Sequence, residues 1–287
     1  MISTLLPLTL AGGYYSFMHL SGDARRHINT RLNLIADLKL SELSGWLEAR
    51  KREVLFHAQH TKLRLMVSRM AGKKNTNALA ELAAHLRDLS QTCAYDSALL
   101  LDVNGQIIAS IGGLLPPADF RQTLLETLKH AQDSAVMTSL NPSPAGQEAS
   151  LVLAALVLSE SGQTAAILLV SLHPAPYLNT FTHGWPSAYP PGYISMAQQD
   201  NNRLTRFVGY DFDLPVCAES PLIENHPSGW HEQQGLSCSL RHIPDTSWYM
   251  IVSADDTEIR QINRQLARMI TLLILLSAAS PVILLLL

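Results

Sequence analysis

SALLLDVNGQIIASI, residues 97–111, is the stretch whose reading decides the fold. Leu99, Leu100 and Leu101 form one apolar run, Ile107, Ile108 and Ile111 a second, and Val103-Asn104-Gly105 separates them. Short apolar runs bounded by a turn read as strands, and Asn-Gly supplies the positive φ angles of a type I′ hairpin turn. Further along, Asp119 with Gln122 reads as a capping-box-like start to a helix carrying Phe120, Leu124, Leu128 and Ala131 on one face. Three more strands are predicted at Val136–Leu140, Ser150–Leu158 and Ala165–Leu172, the last two joined by the polar turn at residues 159–163.

Upstream of this sheet the period changes. Ile28, Leu32, Ile35, Leu38, Leu43, Trp46, Leu47, Val54, Ala58 and Leu65 recur at three- and four-residue steps, which predicts one long amphipathic stalk helix over residues 24–72, bent near Gly45 and stopping at Gly72. Asn75 and Thr76 offer caps for a shorter helix through Leu89. Downstream, residues 174–192 carry five prolines and read as a linker. Strands at Tyr193–Gln198, Arg203–Val208, Leu236–His242 and Ser247–Val252 then predict a second antiparallel sheet, smaller than the first, and residues 255–268 an exit helix. The fold class is α+β, with a larger lobe over residues 73–173 and a smaller one over 193–254.

Of the 287 residues 47% are hydrophobic and 16% charged, with 21 Lys plus Arg against 24 Asp plus Glu, a net charge of −3 and a mean hydropathy of +0.10. Such a chain is neither disordered nor a disulfide scaffold, and lacks the basic excess of a nucleic-acid binder. Part of its apolar sequence is expected in lipid. Residues 269–287 are uncharged and nearly span a ~30 Å hydrocarbon layer; residues 1–20, also free of Asp, Glu, Lys and Arg, end near Tyr14 and Tyr15 and read as an uncleaved anchor. Arg25, Arg26, Arg264 and Arg268 say little about orientation, because the intervening loop is far longer than about 60 residues. Cys93, Cys217 and Cys238 match no metal spacing; Cys217 and Cys238 pair in an oxidising compartment or stay as buried thiols.

Four segments together resemble the double Cache sensor domains, the extracytoplasmic PAS-like sensing parts of bacterial histidine kinases, diguanylate cyclases and chemoreceptors. LSGWLEARKREV (residues 43–54) is similar to the stalk helix of that family, LLLDVNGQIIAS (99–110) to its first hairpin, PYLNTFTHGWPS (176–187) to the linker between its lobes, and HIPDTSWYMIVSADDTEI (242–259) to its last strand and exit helix. The resemblance implies a five-stranded antiparallel sheet in the distal lobe, ligand capture there, and a cytoplasmic output domain beyond the second membrane helix. One departure stands out. The Arg-x-Trp-Tyr cluster of amino-acid-binding members is missing from the distal half, where the sole Trp-Tyr pair of the chain, Trp248-Tyr249, does not lie, so the resemblance does not support an amino-acid ligand.

Motifs for chemistry are sparse. His231-Glu232-Gln233-Gln234-Gly235 lacks the second His of a zincin helix and reads as a polar loop. Glu53, His57 and His60 share a helix face and would meet one ion in principle, but no further ligand to complete the set is evident. No Gly-x-Ser-x-Gly, Gly-x-x-x-x-Gly-Lys or Gly-x-Gly-x-x-Gly is present, so no catalytic residue, metal or cofactor is expected. Tyr95 and Arg121 are the polar side chains expected at a distal ligand pocket, and Trp185 and Trp248 are expected to pack. The resulting expectation is a two-pass inner-membrane receptor module, periplasmic over about residues 21–268, homodimeric and without nucleic-acid partners. It would bind a small molecule and signal through Ile259, Ile262, Leu266 and Met269 to a cytoplasmic part beyond Leu287. The rival readings are an enzyme on the same scaffold and a membrane-anchored scaffold that only dimerises or binds another protein.

Overall fold

The computed structural model describes residues 2–70, 76–113, 116–131, 134–140, 150–187, 192–200, 203–208, 229–233, 236–255, 264–265, 267–272 and 275. Its elements run α1 (Ile2–Gln59), α2 (Thr61–Met70), α3 (Thr76–Cys93), β1 (Ser97–Leu101), β2 (Ile107–Ile111), α4 (Ala118–Lys129), β3 (Val136–Leu140), β4 (Ser150–Leu158), β5 (Thr164–Leu172) and α5 (Ala175–His183). They continue with β6 (Gly192–Asp200), β7 (Arg203–Val208), β8 (Gly229–Gln233), β9 (Leu236–His242) and β10 (Trp248–Asp255). The chain divides into two compact units, residues 39–182 with 242–248, and residues 1–38, 183–241 and 249–287.

In the first unit the five strands pair in the order β2-β1-β5-β4-β3, antiparallel throughout. All five expected strands are present. Alternation sends Leu99, Leu101, Val152, Ala154, Leu156, Ile167 and Leu169 to one face, where they form a core with Leu124 and Leu128 of α4. Ala98, Leu100, Leu151, Leu153, Leu168 and Val170 point the other way and are equally buried; α2 packs on β4 and β5, and α3 on β1 and β2. Each fully buried Leu or Val contributes about 1.5–3 kcal/mol over an exposed one, so a sheet apolar on both faces is stable only between helices.

The hairpins differ from expectation. Gly105 alone takes positive φ (77°), so the β1–β2 turn is not type I′: Gly105 N donates to Asp102 O at 3.0 Å, and the register slips between Leu100 and Leu101. This is a tight turn closed by a left-handed glycine and a bulge. Asp102 favours it by accepting at Oδ1 from the amides of Asn104 and Gln106. The β4–β5 turn repeats the pattern with Gly162 (φ 79°) bonded to Ser159 O.

Several helix ends also depart from expectation. The helix runs on unbroken through Gly45 and breaks at His60, whose Nδ1 accepts from Lys62 N at 3.4 Å and so caps α2. The capping box at Asp119 is not made: Pro117 occupies the N-cap without a side-chain bond, and Asp119 sits in the first turn. Part of the Pro-rich stretch is helical, because Pro176 falls at the start of α5 where an N–H is not needed.

In the second unit the order β7-β6-β10-β9-β8 repeats that of the first sheet. This sheet therefore has five strands, not four, and is not the lesser of the two. The added strand is β8, where His231 pairs with Cys238 and Glu232 with Ser237 in place of the expected polar loop. Ala197, Cys238, Leu240, Tyr249 and Ile251 form its core. From α1, Asn33 Oδ1 accepts from Ser239 Oγ (2.8 Å) and Arg241 Nη2 (3.0 Å), and Asp37 Oδ1 from Arg241 Nε (2.8 Å).

Among the described residues no helix is long and apolar enough to cross a membrane. Residues 2–20 continue into α1 as helix. Most of 269–287, and Ile259, Ile262 and Leu266 of the exit stripe, lie outside the described residues; Met269 is helical and 60% exposed.

The glycines allow a direct test. A Cβ at Gly112 (φ 85°) would stand 2.4 Å from Asp96 O, whereas at Gly162 nothing lies within 4 Å. Gly162→Ala should cost only the ~1–2 kcal/mol of a left-handed L-residue, and Gly112→Ala about 3 kcal/mol or more because backbone must move. Urea unfolding of the two variants checks the order; equal losses would contradict it.

Candidate functional site

One face of α1 presents Glu48, Lys51, Arg52 and Leu55, at helical spacing i, i+3, i+4 and i+7, to a cavity of about 490 Å³ in the first unit. Thr127 in the last turn of α4, Ser134 to Met137 entering β3, and Asp245 complete its wall. Asp245 comes from the turn before β10 and adopts φ 59°, a left-handed conformation that Asp tolerates. The turn is closed by Ile243 N on Trp248 O (3.0 Å) and by Thr246 Oγ1, which accepts from Trp248 N (3.0 Å).

Lys51 organises the charges. Its Nζ bonds Glu48 Oε1 at 2.8 Å and Asp245 Oδ2 at 3.0 Å, with only 14% of the side chain exposed. Burial works against its charge, but the bonds to Glu48 and Asp245 outweigh it and hold the ammonium above its ordinary pKa. With both carboxylates turned to Lys51, Arg52 is the cation of the wall that neither of them bonds; its Nε reaches only the Glu48 backbone oxygen, at 3.4 Å. A guanidinium beside an apolar floor of Leu55, Val136 and Met137 suits a small molecule bearing a carboxylate. The volume lies within the ~300–1,000 Å³ of small-ligand sites.

The two residues expected at a distal pocket do not border this cavity and have different neighbours. Arg121 reaches from α4 to the β1–β2 turn, Nη1 donating to Gly105 O at 2.8 Å. Tyr95, 4% exposed, has Glu53 and Cys93 as its electrostatic neighbours; burial first, then Glu53, pushes its phenol well above the ordinary range. Glu53 and His57 do find a further potential ligand, Cys93, whose Sγ lies 3.3 Å from His57 Nε2. Burial, reinforced by Glu53, pushes the Cys93 thiol up to about 11; burial first, with His60 adding to it against the opposing pull of Glu53, holds the His57 ring below its ordinary value. His60 is spent on the cap of α2. Sequence spacing could not show the Cys93 contact, which joins residues 36 apart on different helices. Nor did it flag Lys51 or Asp245, which are 194 residues apart. Trp248 is fully buried, as expected of a packing residue, and Cys238 is disulfide-bonded; Cys217 lies outside the described residues.

No protein-family model matches the chain, and neither does any curated protein. Solved structures do. The ligand-binding domain of the Pseudomonas aeruginosa PAO1 amino acid chemoreceptor PctB in complex with L-Gln matches with a TM-score of 0.51 at 18% identity, covering 80% of this chain and 91% of its own. The same domain in complex with L-Arg matches at 0.50 and 16% identity, covering 81% and 97%. The ligand-binding domain of the Pseudomonas fluorescens chemoreceptor CtaA in complex with L-isoleucine matches at 0.50 and 16%, covering 84% and 98%. The chain thus shares the fold of these ligand-binding domains.

If Arg121 braces the hairpin, Arg121→Met should lower stability by about 1–3 kcal/mol, the worth of a charged hydrogen bond, in urea unfolding. Unchanged stability would return Arg121 to the pool of free ligand-binding groups.

Proposed function

We propose that the chain is the extracytoplasmic sensing module of a membrane-bound bacterial signal-transduction receptor, binding a small carboxylate-bearing molecule in the cavity beside Arg52. The observation that carries this reading is that cavity, formed by α1, α4 and the edge strand β3 of a sheet of the order β2-β1-β5-β4-β3. Two solved domains of like fold are described in complex with amino acids, one with L-Gln and with L-Arg and the other with L-isoleucine, each of which carries a carboxylate. A disulfide-bonded Cys238 supports an oxidising compartment outside the cytoplasm.

In this reading residues 1–20 and 269–287 anchor the chain in the inner membrane as two passes. The stripe Ile259, Ile262, Leu266 and Met269 packs against its copy in a homodimer and passes the ligand's effect to a histidine kinase, diguanylate cyclase or chemotaxis output. The ligand acts only if it binds one arrangement of these helices better than the other. Tyr95 and Arg121 position the hairpin and helices around the site rather than touch the ligand.

Thermal unfolding of the full chain in detergent, against L-amino acids, other small carboxylates, amines, purines and sugars, tests the proposal. At a hundred times its Kd a ligand adds about 2.7 kcal/mol to the folded state, so carboxylates should raise Tm by several degrees. Arg52→Met should remove that rise while leaving the Tm of the free protein within a degree or two. A rise that survives Arg52→Met would place binding elsewhere. No rise with any compound would leave the scaffold reading, which the closed apolar core between α4 and the sheet also suits.

A further inference from the structure

Three side chains of different donor chemistry meet where α1 and α3 touch, away from the wall of the cavity. Glu53 and His57 stand one turn apart on α1, and Cys93 is the last residue of α3. One donor atom from each lies within 4.8 Å of the others. An ion with Zn–S and Zn–N bonds of ordinary length at a tetrahedral angle separates sulfur from nitrogen by about 3.6 Å. Cys93 Sγ and His57 Nε2, 3.3 Å apart, are already close to that spacing.

A second observation points to the same place. Just past Cys93 the chain turns through Ala94, which takes φ 54°, and Ser90 anchors Tyr95 by two bonds, accepting at its O from Tyr95 N (2.9 Å) and donating from Oγ to Tyr95 O (2.6 Å). The turn delivers the Tyr95 ring to Glu53 and Cys93. Its Oη is buried and makes no hydrogen bond of good geometry, although the Glu53 carboxylate and the Cys93 thiol are its polar neighbours. A buried hydroxyl so placed is costly to leave without a full bond.

We propose that Glu53, His57 and Cys93 bind a borderline-soft divalent cation, zinc being the ion that fits, with Tyr95 Oη hydrogen-bonded to the water that completes its coordination. The donor set selects the metal class: thiolate and imidazole suit zinc, whereas magnesium and calcium take oxygen ligands. Three protein ligands and a water make a common tetrahedral zinc set. Arg50 Nη1 holds Glu53 Oε2 at 2.7 Å, leaving Oε1 for the ion and fixing the carboxylate's direction. As the sulfur–metal bond forms, the Cys93 S–H bond breaks and its proton passes to solvent. Occupied, the site joins the last residue of α3 to α1 by coordinate bonds. It stands apart from the sensor reading, which uses none of these three residues.

Cobalt(II) is the probe. Titrated into the full chain in detergent, stripped of metal, Co2+ should bind at one per chain and give a thiolate-to-cobalt charge-transfer band with the strong visible bands of a tetrahedral ion, both lost on adding Zn2+. Cys93→Ser should abolish the charge-transfer band, and Glu53→Gln and His57→Gln should each weaken Co2+ binding at least tenfold. Tyr95→Phe should weaken it several-fold while keeping or raising the metal-free Tm. A chain without substitution that shows no thiolate band at saturating Co2+ overturns the proposal, whatever the variants do. So does a band that persists in Cys93→Ser, since another cysteine would then be the ligand.

Discussion

A five-stranded sheet with apolar residues on both faces cannot exist alone in water, and the rest of the first unit follows from that constraint. One face needs α4, whose Leu124 and Leu128 enter the core; the other needs α2 and α3. The helices must in turn be held at fixed places. Arg64 of α2 does so on one side, donating from Nε to Leu158 O (2.7 Å) and from Nη2 to Ser159 O (2.6 Å), and thereby also satisfying carbonyls at the β4–β5 turn.

The long helix carries the polar consequences. Along it Lys39 lies over the Phe181 ring (4.9 Å), Phe181 stacks with Tyr177, Tyr177 stacks with Trp46 at 4.3 Å, and Arg50 lies over Trp46 at 5.9 Å. Cations at both ends of an aromatic row are favourable, since each ring face is electron-rich. The row seats α5 against α1 within the first unit and orients Arg50, which then fixes Glu53. One residue along from Arg50, on the neighbouring face, Lys51 binds Glu48 and Asp245 at the cavity. The same helix thus serves a ligand-sized cavity and a cluster of metal-binding donors with adjacent residues.

Strands of the first sheet were legible because each is an apolar run closed by turn residues, and burial on both faces makes such runs continuous. Gly229–Gln233 is not of that kind: GWHEQ has one large apolar side chain and no alternation, and is a strand only by pairing with β9. Turn type was misjudged because Asn104 could adopt positive φ and does not; the Asp102 carboxylate, bonded to two amides, favours the bulged alternative. The cavity and the Cys93 contact were invisible for a different reason. Lys51 with Asp245, and His57 with Cys93, are pairs made by tertiary packing between distant segments, and no local pattern encodes them.

Strand order also governs when each sheet can be finished. In both, the first strand lies beside the last, so β5 is the central piece between the β1–β2 hairpin and the β4–β3 pair, as β10 is between β6 and β9. During synthesis β1 leaves the ribosome long before its partner: Ser97 and Ser171, whose hydroxyls bond at 2.5 Å, are 74 residues apart. Until β5 emerges, β1 and β4 each offer an open edge of unpaired amides and carbonyls flanked by leucines, the kind of surface that templates association between chains. Closure over so long a loop is slow compared with making a local hairpin. Each half of this protein is thus exposed to misassembly through its inner strands for as long as its final strand is unmade.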